Sequence, residues 1–250
     1  MCEHPEYNRD TNPYPSFGKK YNSERAIISL TSWKARINTV SKTLFSLLKQ
    51  CPGFHIVLVL SEEEFPKMMD ELPENLKLFV ENELIEVLWV YKNYKAFKKV
   101  LFTMDKYRNV PVISADDDCV YMYNYADELY NTWLNHTDCC ITYSNPTNFK
   151  GAAGNWGAAS LYPPNFYKDL GILCLTPGII NSNLDDGYYN VLRFHLHLGE
   201  YQINKDPFKS VFKFHTKNDA LSHIYLKNKA TVNRQMNHMD RIIYAGMKYA

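Results

Sequence analysis

The sequence predicts an α/β fold of the doubly wound, Rossmann-like kind: a mostly parallel mixed sheet with helices on both faces. Short apolar runs at 26–30, 55–60, 85–90 and 110–115 alternate with stretches whose apolar residues recur at helical spacing, the pattern of successive βα units. Those runs are apolar almost throughout, as strands covered on both faces are. A chain of 250 residues with 46% apolar side chains also fills one sizeable core.

The elements follow in order. Residues 1–24 are polar and punctuated by prolines, an irregular leader ahead of one domain spanning 25–250. Ala26–Leu30 is the first strand. Val40, Leu44, Leu47 and Leu48 then fall at i, i+4, i+7 and i+8, one helical face that Pro52 and Gly53 close. His55–Leu60 is the second strand, followed by a helix from about Glu62 to Glu71. Ile85–Val90 is the third, followed by a helix carrying Phe97, Val100, Leu101 and Met104. Val110–Ala115 is the fourth. Beyond Asp118 come an aromatic helix near Tyr123–His136, a strand at Cys139–Tyr143 and a Gly-, Asn- and Pro-rich stretch from Asn145 to Pro164, a place for substrate contacts. Met236, Met239, Ile243 and Met247 line one face of a later helix that packs back on the domain.

Composition excludes several classes. With 28 basic and 27 acidic residues the formal charge is +1, so no general field attracts nucleic acid or an anionic membrane. The longest apolar runs fall far short of the ~20 residues that cross a bilayer, and no apolar h-region marks a secretory signal. A cytoplasmic location is expected. The six cysteines (2, 51, 119, 139, 140 and 174) include no CxxC pair and read as reduced thiols.

Asp116, Asp117 and Asp118 directly follow the fourth strand, where a parallel sheet places its ligands. Three adjacent carboxylates repel one another unless a cation sits among them. In extended chain Asp116 and Asp118 point the same way and share one ion. Mg²⁺ or Mn²⁺, completed by water and substrate phosphates, suits such a pair. A solvated acidic turn is the competing reading, and position after a buried strand favours the metal. No EF-hand is possible, because Tyr121 stands where its glycine belongs and Asp127 where its glutamate belongs. A second pair, Asp185–Asp186, opens a helical stretch; Asp185 reads equally as an N-cap or as part of a proton-accepting site. Lys95, Lys98 and Lys99 precede the fourth strand, a solvated face or a phosphate contact. His215 sits in Phe212–Lys217, a strand-like run, and is a candidate nitrogen ligand, while His195 and His197 read as packing.

Ordered along the chain, Ile27–Ile37 (IISLTSWKARI), Leu58–Phe65 (LVLSEEEF), Lys98-Lys99, Ser114–Tyr121 (SADDDCVY), Leu161–Pro164 (LYPP) and Asp185-Asp186 resemble the landmarks of a bacterial glycosyltransferase group related to the large family-two GT-A enzymes. The resemblance covers about residues 26–192. It implies a GT-A fold and metal-dependent transfer of a hexosyl group from a nucleoside-diphosphate sugar, a UDP-sugar by default, to a glycan or glycolipid hydroxyl in surface polysaccharide synthesis, with inversion. Peripheral contact with the inner face of a membrane fits such an acceptor.

The same resemblance implies roles. Thr31, Ser32 and Arg36 lie near the nucleotide; Asp116 approaches the ribose or the metal, and Asp117 belongs to the same donor site. Asp118 ligates the metal, with His215 as a further ligand. Lys99, or alternatively Lys98, contacts the donor. The Asn155-Trp156-Gly157 loop helps shape the sugar and acceptor site, and Asp186, beside Asp185, is the base. Apart from the resemblance, aromatics including Trp156 and Tyr162 can offer faces to sugar rings, although most of the nineteen tyrosines serve packing. Gly187 departs from the pattern, since related sequences often carry a bulkier apolar residue there. Two rivals remain: a haloacid-dehalogenase-like phosphatase using Asp116 and Asp118, and a non-catalytic nucleotide-sugar-binding module.

Overall fold

The first strand, β1 (Ala26–Thr31), is buried along nearly its whole length, and its alternating side chains begin two separate cores. Ala26, Ile28 and Leu30 enter one, and Ile27 enters the other. A computed structural model describes residues 25–50, 53–144, 158–166, 174–207, 211–214 and 229–249.

β2 (Phe54–Ser61), β3 (Glu86–Val90) and β4 (Val112–Ala115) run parallel to β1. β7 (Ala159–Tyr162) pairs antiparallel with β4 and with β6 (Cys139–Tyr143), and β8 (Gly199–Ile203) lies parallel to β6. The sheet order is β3-β2-β1-β4-β7-β6-β8, so one strand of seven is reversed. β5 (Cys119–Tyr121) pairs with β9 (Phe212–Phe214) in a separate two-stranded sheet.

On one face α1 (Val40–Leu47) and α4 (Tyr125–Leu134) set Leu44, Leu47, Tyr125 and Leu129 against the strands. On the other, α3 (Lys98–Lys106), α5 (Pro177–Ser182), α6 (Asp185–His195) and α7 (Lys229–Tyr249) contribute Val100, Leu101, Ile179, Tyr188, Tyr189, Leu192, Met239 and Ile243. The expected mostly parallel sheet covered on both faces is the architecture observed. Met236, Met239 and Ile243 pack inward as the spacing predicts; the side chain of Met247 lies outside the described residues.

The expected helix at Glu62–Glu71 is a correction. Glu62–Phe65 makes turns, a 3-10 turn covers Met68–Glu71, and the helix of this connection is α2 (Glu74–Glu81). Pro66 disfavours helical backbone at the residue before it. Pro73, at φ −57° and ψ 148°, instead leads into α2, as proline does at a helix start. Among the described cysteines, 119, 139, 140 and 174 are free thiols, three of them buried. No helix among the described residues is long and apolar enough to cross a membrane.

At the start of β3 Glu86 is buried and ties three elements together. It accepts hydrogen bonds from Lys106 Nζ at 2.7 Å and from the Tyr107 hydroxyl, and lies 3.0 Å from His55 Nε2. Against the cost of burial, these partners hold its carboxyl down to about 2.

Candidate functional site

The register Leu30↔Ala115 sets the ends of β1 and β4 side by side, so Asp116 lies beside Thr31, the last residue of β1, at the carboxyl edge of the sheet. Asp116 directly follows the strand. Asp117 and Asp118 form the turn into β5, not an extended run; both carboxylates turn to Arg36, while that of Asp116 meets Lys99. The Asp116 backbone N–H donates to the Tyr121 hydroxyl at 2.8 Å, and that hydroxyl donates to the Ala158 carbonyl at 2.7 Å. Tyr125 binds the Ser114 carbonyl below, and Thr43 Oγ1 donates to the Asp117 carbonyl at 3.0 Å. Two buried tyrosines that the motif reading did not single out therefore fix the backbone of the acidic block.

Asp117 accepts from Ser32 Oγ at 2.7 Å and from Arg36 Nη1 at 2.6 Å; the same nitrogen reaches Asp118 Oδ2 at 3.0 Å. Ser32 and Arg36, from the Ile27–Ile37 segment, thus clamp the acidic block. Burial raises the proton affinity of Asp117, and Arg36 and Ser32 oppose it. Asp118 is pushed up to about 6 by burial and by Asp116, against the pull of Arg36. Thr31 turns its hydroxyl to the Val59 carbonyl at 2.7 Å, inside the sheet.

Oxygens of Asp116 and Asp118 and the sulfur of Cys119 lie within 4.8 Å of one another. The Cys119 thiol is fully buried, and burial with two nearby carboxylates raises its proton affinity far above normal. The useful donors are therefore two hard carboxylates, one half-buried and one buried. That set fits Mg²⁺ or Mn²⁺ with the remaining positions given to water and phosphate oxygens.

The second acidic pair meets the first through a lysine. Lys99 Nζ lies 2.6 Å from Asp116 Oδ1 and 3.4 Å from Asp185 Oδ2, with its side chain only 6% exposed. The Ser29 hydroxyl, itself 2.6 Å from Thr103 Oγ1, binds the Lys99 carbonyl and pins the first turn of α3 to β1. Burial disfavours the ammonium charge, but Asp116, Asp185 and Asp186 outweigh it and hold the lysine protonated. Asp185 is the first residue of α6 and makes no side-chain cap; its carboxylate turns to Lys99. Asp186 beside it is exposed to solvent while hemmed in by protein. Desolvation raises the proton affinity of both, with Lys99 opposing it at Asp185 and the charge of Asp185 adding to it at Asp186.

Lys98 is nearly fully buried and bonds Glu64 Oε2 at 3.3 Å and Asn93 Oδ1 at 3.2 Å. Burial lowers its proton affinity and Glu64 opposes the shift. Lys95 reaches Asn181 Oδ1 at 3.2 Å. His195 Nε2 lies 2.9 Å from Asp240 Oδ1, tying α6 to α7. Tyr162 is a correction: it is fully buried against Phe166 and Tyr189 and has no face for a sugar ring. At Gly187 an added Cβ would lie 2.3 Å from Met236 Sδ, so the departure from the resembled pattern coincides with the close approach of α7. His215 and Trp156, with Asn155 and Gly157, lie outside the described residues.

No family model matches the sequence, and no curated protein matches it. Solved structures do match. S. aureus TarS 1-349 in complex with UDP superposes at TM-score 0.56 and 11% identity, over 89% of this chain and 70% of that one. The mannosyltransferase PcManGT from Pyrobaculum calidifontis, in complex with GDP-Man and Mn²⁺, gives 0.56 and 11% over 90% and 74%. GalNAc-T7 with UDP, GalNAc and Mn²⁺ gives 0.52 and 12% over 74% and 43%. In other TarS crystals the chain spans 59% of the 1-349 fragment and 43% of the longer chain. At such identities the likeness is one of fold. Together with the mixed sheet and its helices, it gives this chain the α/β, Rossmann-like GT-A fold of glycosyltransferases.

Proposed function

We propose that this protein is a metal-dependent glycosyltransferase, moving a sugar from a nucleoside-diphosphate donor to a hydroxyl of a glycan or glycolipid with inversion. One observation carries the reading: Lys99 brings the acidic block after β4 and the acidic pair opening α6 into one site at the carboxyl edge of the sheet. Of the fold's neighbours, TarS is crystallised with UDP and with UDP-GlcNAc, and PcManGT with GDP-Man and Mn²⁺. A UDP-sugar is the favoured donor and a bacterial surface polysaccharide, lipopolysaccharide or capsule, the favoured product, both from the motif resemblance.

Asp116 and Asp118 would hold Mn²⁺ or Mg²⁺, which when bound supplies positive charge to the departing diphosphate. Asp185 is occupied by Lys99, whereas Asp186 is open to solvent and therefore to an acceptor. Asp186 takes the hydroxyl proton as the acceptor oxygen bonds to the anomeric carbon; the bond from that carbon to the diphosphate oxygen breaks, and the nucleoside diphosphate leaves. Lys99 keeps Asp116 and Asp185 at fixed separation and contributes its charge from behind them.

The test is thermal stability of the wild type and of Asp118→Asn with UDP, GDP, ADP and CDP, each with and without Mn²⁺, since a ligand that binds the native state raises its melting temperature. A metal-dependent shift with one nucleotide, lost in the variant, supports the reading. No shift with any nucleotide overturns it. Binding without transfer to any acceptor would make the protein a non-catalytic nucleotide-sugar module, and a phosphoenzyme on Asp116 would make it a phosphatase.

A further inference from the structure

The acidic block holds a cation of its own. A single nitrogen, Arg36 Nη1, lies 2.6 Å from Asp117 Oδ1 and 3.0 Å from Asp118 Oδ2, and the Arg36 side chain is only 12% exposed. Asp118 is also one of the two carboxylates suited to a divalent ion. Two cations at one buried carboxylate repel each other strongly, because charges a few ångströms apart are little screened there. An arriving metal therefore meets a positive charge already in contact with its ligand. A diphosphate changes this balance: it brings negative charge, and its oxygens match the planar fork of a guanidinium.

We propose that Arg36 is an internal counter-ion standing in for the metal at Asp118, which a diphosphate draws away, so that divalent metal and nucleotide bind cooperatively. The proposal rests on the nucleotide-sugar reading above and deepens it. Asp117, bonded by Ser32 as well, is the anchor that keeps Arg36 beside the site in both states. Linkage makes the effect reciprocal: the metal strengthens nucleotide binding by the same factor by which the nucleotide strengthens metal binding.

The experiment is direct titration of Mn²⁺ into the metal-free protein, followed by the electron paramagnetic resonance of free Mn²⁺, with and without UDP or GDP, whichever gives the larger thermal shift. Wild type, Arg36→Gln and Arg36→Lys are compared, with Asp118→Asn as the binding-deficient control and circular dichroism as the check on folding. The wild type is expected to bind Mn²⁺ weakly alone and about tenfold or more tightly with nucleotide. Arg36→Gln should bind Mn²⁺ alone about tenfold more tightly than the wild type, and nucleotide should add less to its affinity than it adds to the wild type's, what remains being direct ligation by phosphate oxygens. Arg36→Lys keeps the charge and should bind Mn²⁺ alone as weakly as the wild type, with a smaller gain from nucleotide because an ammonium lacks the planar fork. If Arg36→Gln is unfolded, Arg36→Met carries the same expectation. Mn²⁺ binding to the wild type with no gain in the neutral variants overturns the counter-ion role alone. Absence of Mn²⁺ binding to the wild type under every condition overturns the metal-site reading together with it.

Discussion

Lys99 and Asp185 meet at 3.4 Å from the first turns of two helices, α3 and α6, that are far apart in sequence. The contact is buried and shared with Asp116, so removing the ammonium leaves two carboxylates facing each other without a counter-ion. Lys99→Met is expected to destabilise the fold by about 3–5 kcal/mol, the usual cost of breaking a buried pair. The double variant Lys99→Met, Asp185→Asn should recover part of that loss in urea denaturation. Simple additivity of the two changes would show that the pair is not coupled.

Asp186 predicts the opposite balance. Desolvation and Asp185 already disfavour its charge in the folded protein, so Asp186→Asn should not lower stability at neutral pH. Transfer should nonetheless fall about a hundredfold to ten-thousandfold, the range for a lost general base. Desolvation and Asp185 raise its proton affinity, and a base works only when deprotonated. The acidic limb of kcat/KM should therefore lie above the ordinary carboxylate range, with activity rising as pH rises through it. A limb unchanged in Asp186→Asn would sink the assignment.

Tyr121 is the hydroxyl on which the acidic block hangs. Tyr121→Phe strands the Asp116 N–H and the Ala158 carbonyl, at a cost of about 1–3 kcal/mol for buried groups left unpaired. Reduced Mn²⁺ affinity in the same variant, measured by titration, would show that this backbone anchor serves the site and not the fold alone.

Glu86 sets a pH dependence of stability at the other end of the sheet. Its carboxyl falls from an ordinary 4.5 to about 2, worth roughly 3 kcal/mol at neutral pH. For a depressed acid that contribution is complete above pH 4.5 and is lost as pH falls toward 2. Glu86→Gln should lower stability at pH 7 by an amount of that order and flatten the acid side of the stability curve, read by denaturant melts between pH 2 and 7.

Much of this was legible in the sequence. Strands buried on both faces announce themselves as apolar runs, and Cys139–Tyr143 has the bounds its composition predicts. The place of Asp116 and Asp118 at the carboxyl edge of the sheet was legible because they follow such a run. The turn at Asp117 was not, because it depends on Ser32 and Arg36 in the connection after β1 and on Thr43 in α1. The meeting of Lys99 with Asp185 was hidden for the same reason: spacing along the chain reports one helix face at a time, not which faces the sheet brings together. Nor does composition tell an exposed aromatic from a buried one, which is why Tyr162 read as a sugar platform. The missed helix at Glu74–Glu81 did carry a signal, since Pro73 marks its start.

Met236 resting against Gly187 has a consequence for anyone altering α7. The helix is wedged one residue from Asp186, so it is a structural neighbour of the acidic pair and not a detachable appendage. A deletion, fusion or bound protein that displaces Met236 would act on the pitch and depth of the first turn of α6, tuning or disabling the site from its rear without touching a single charged group.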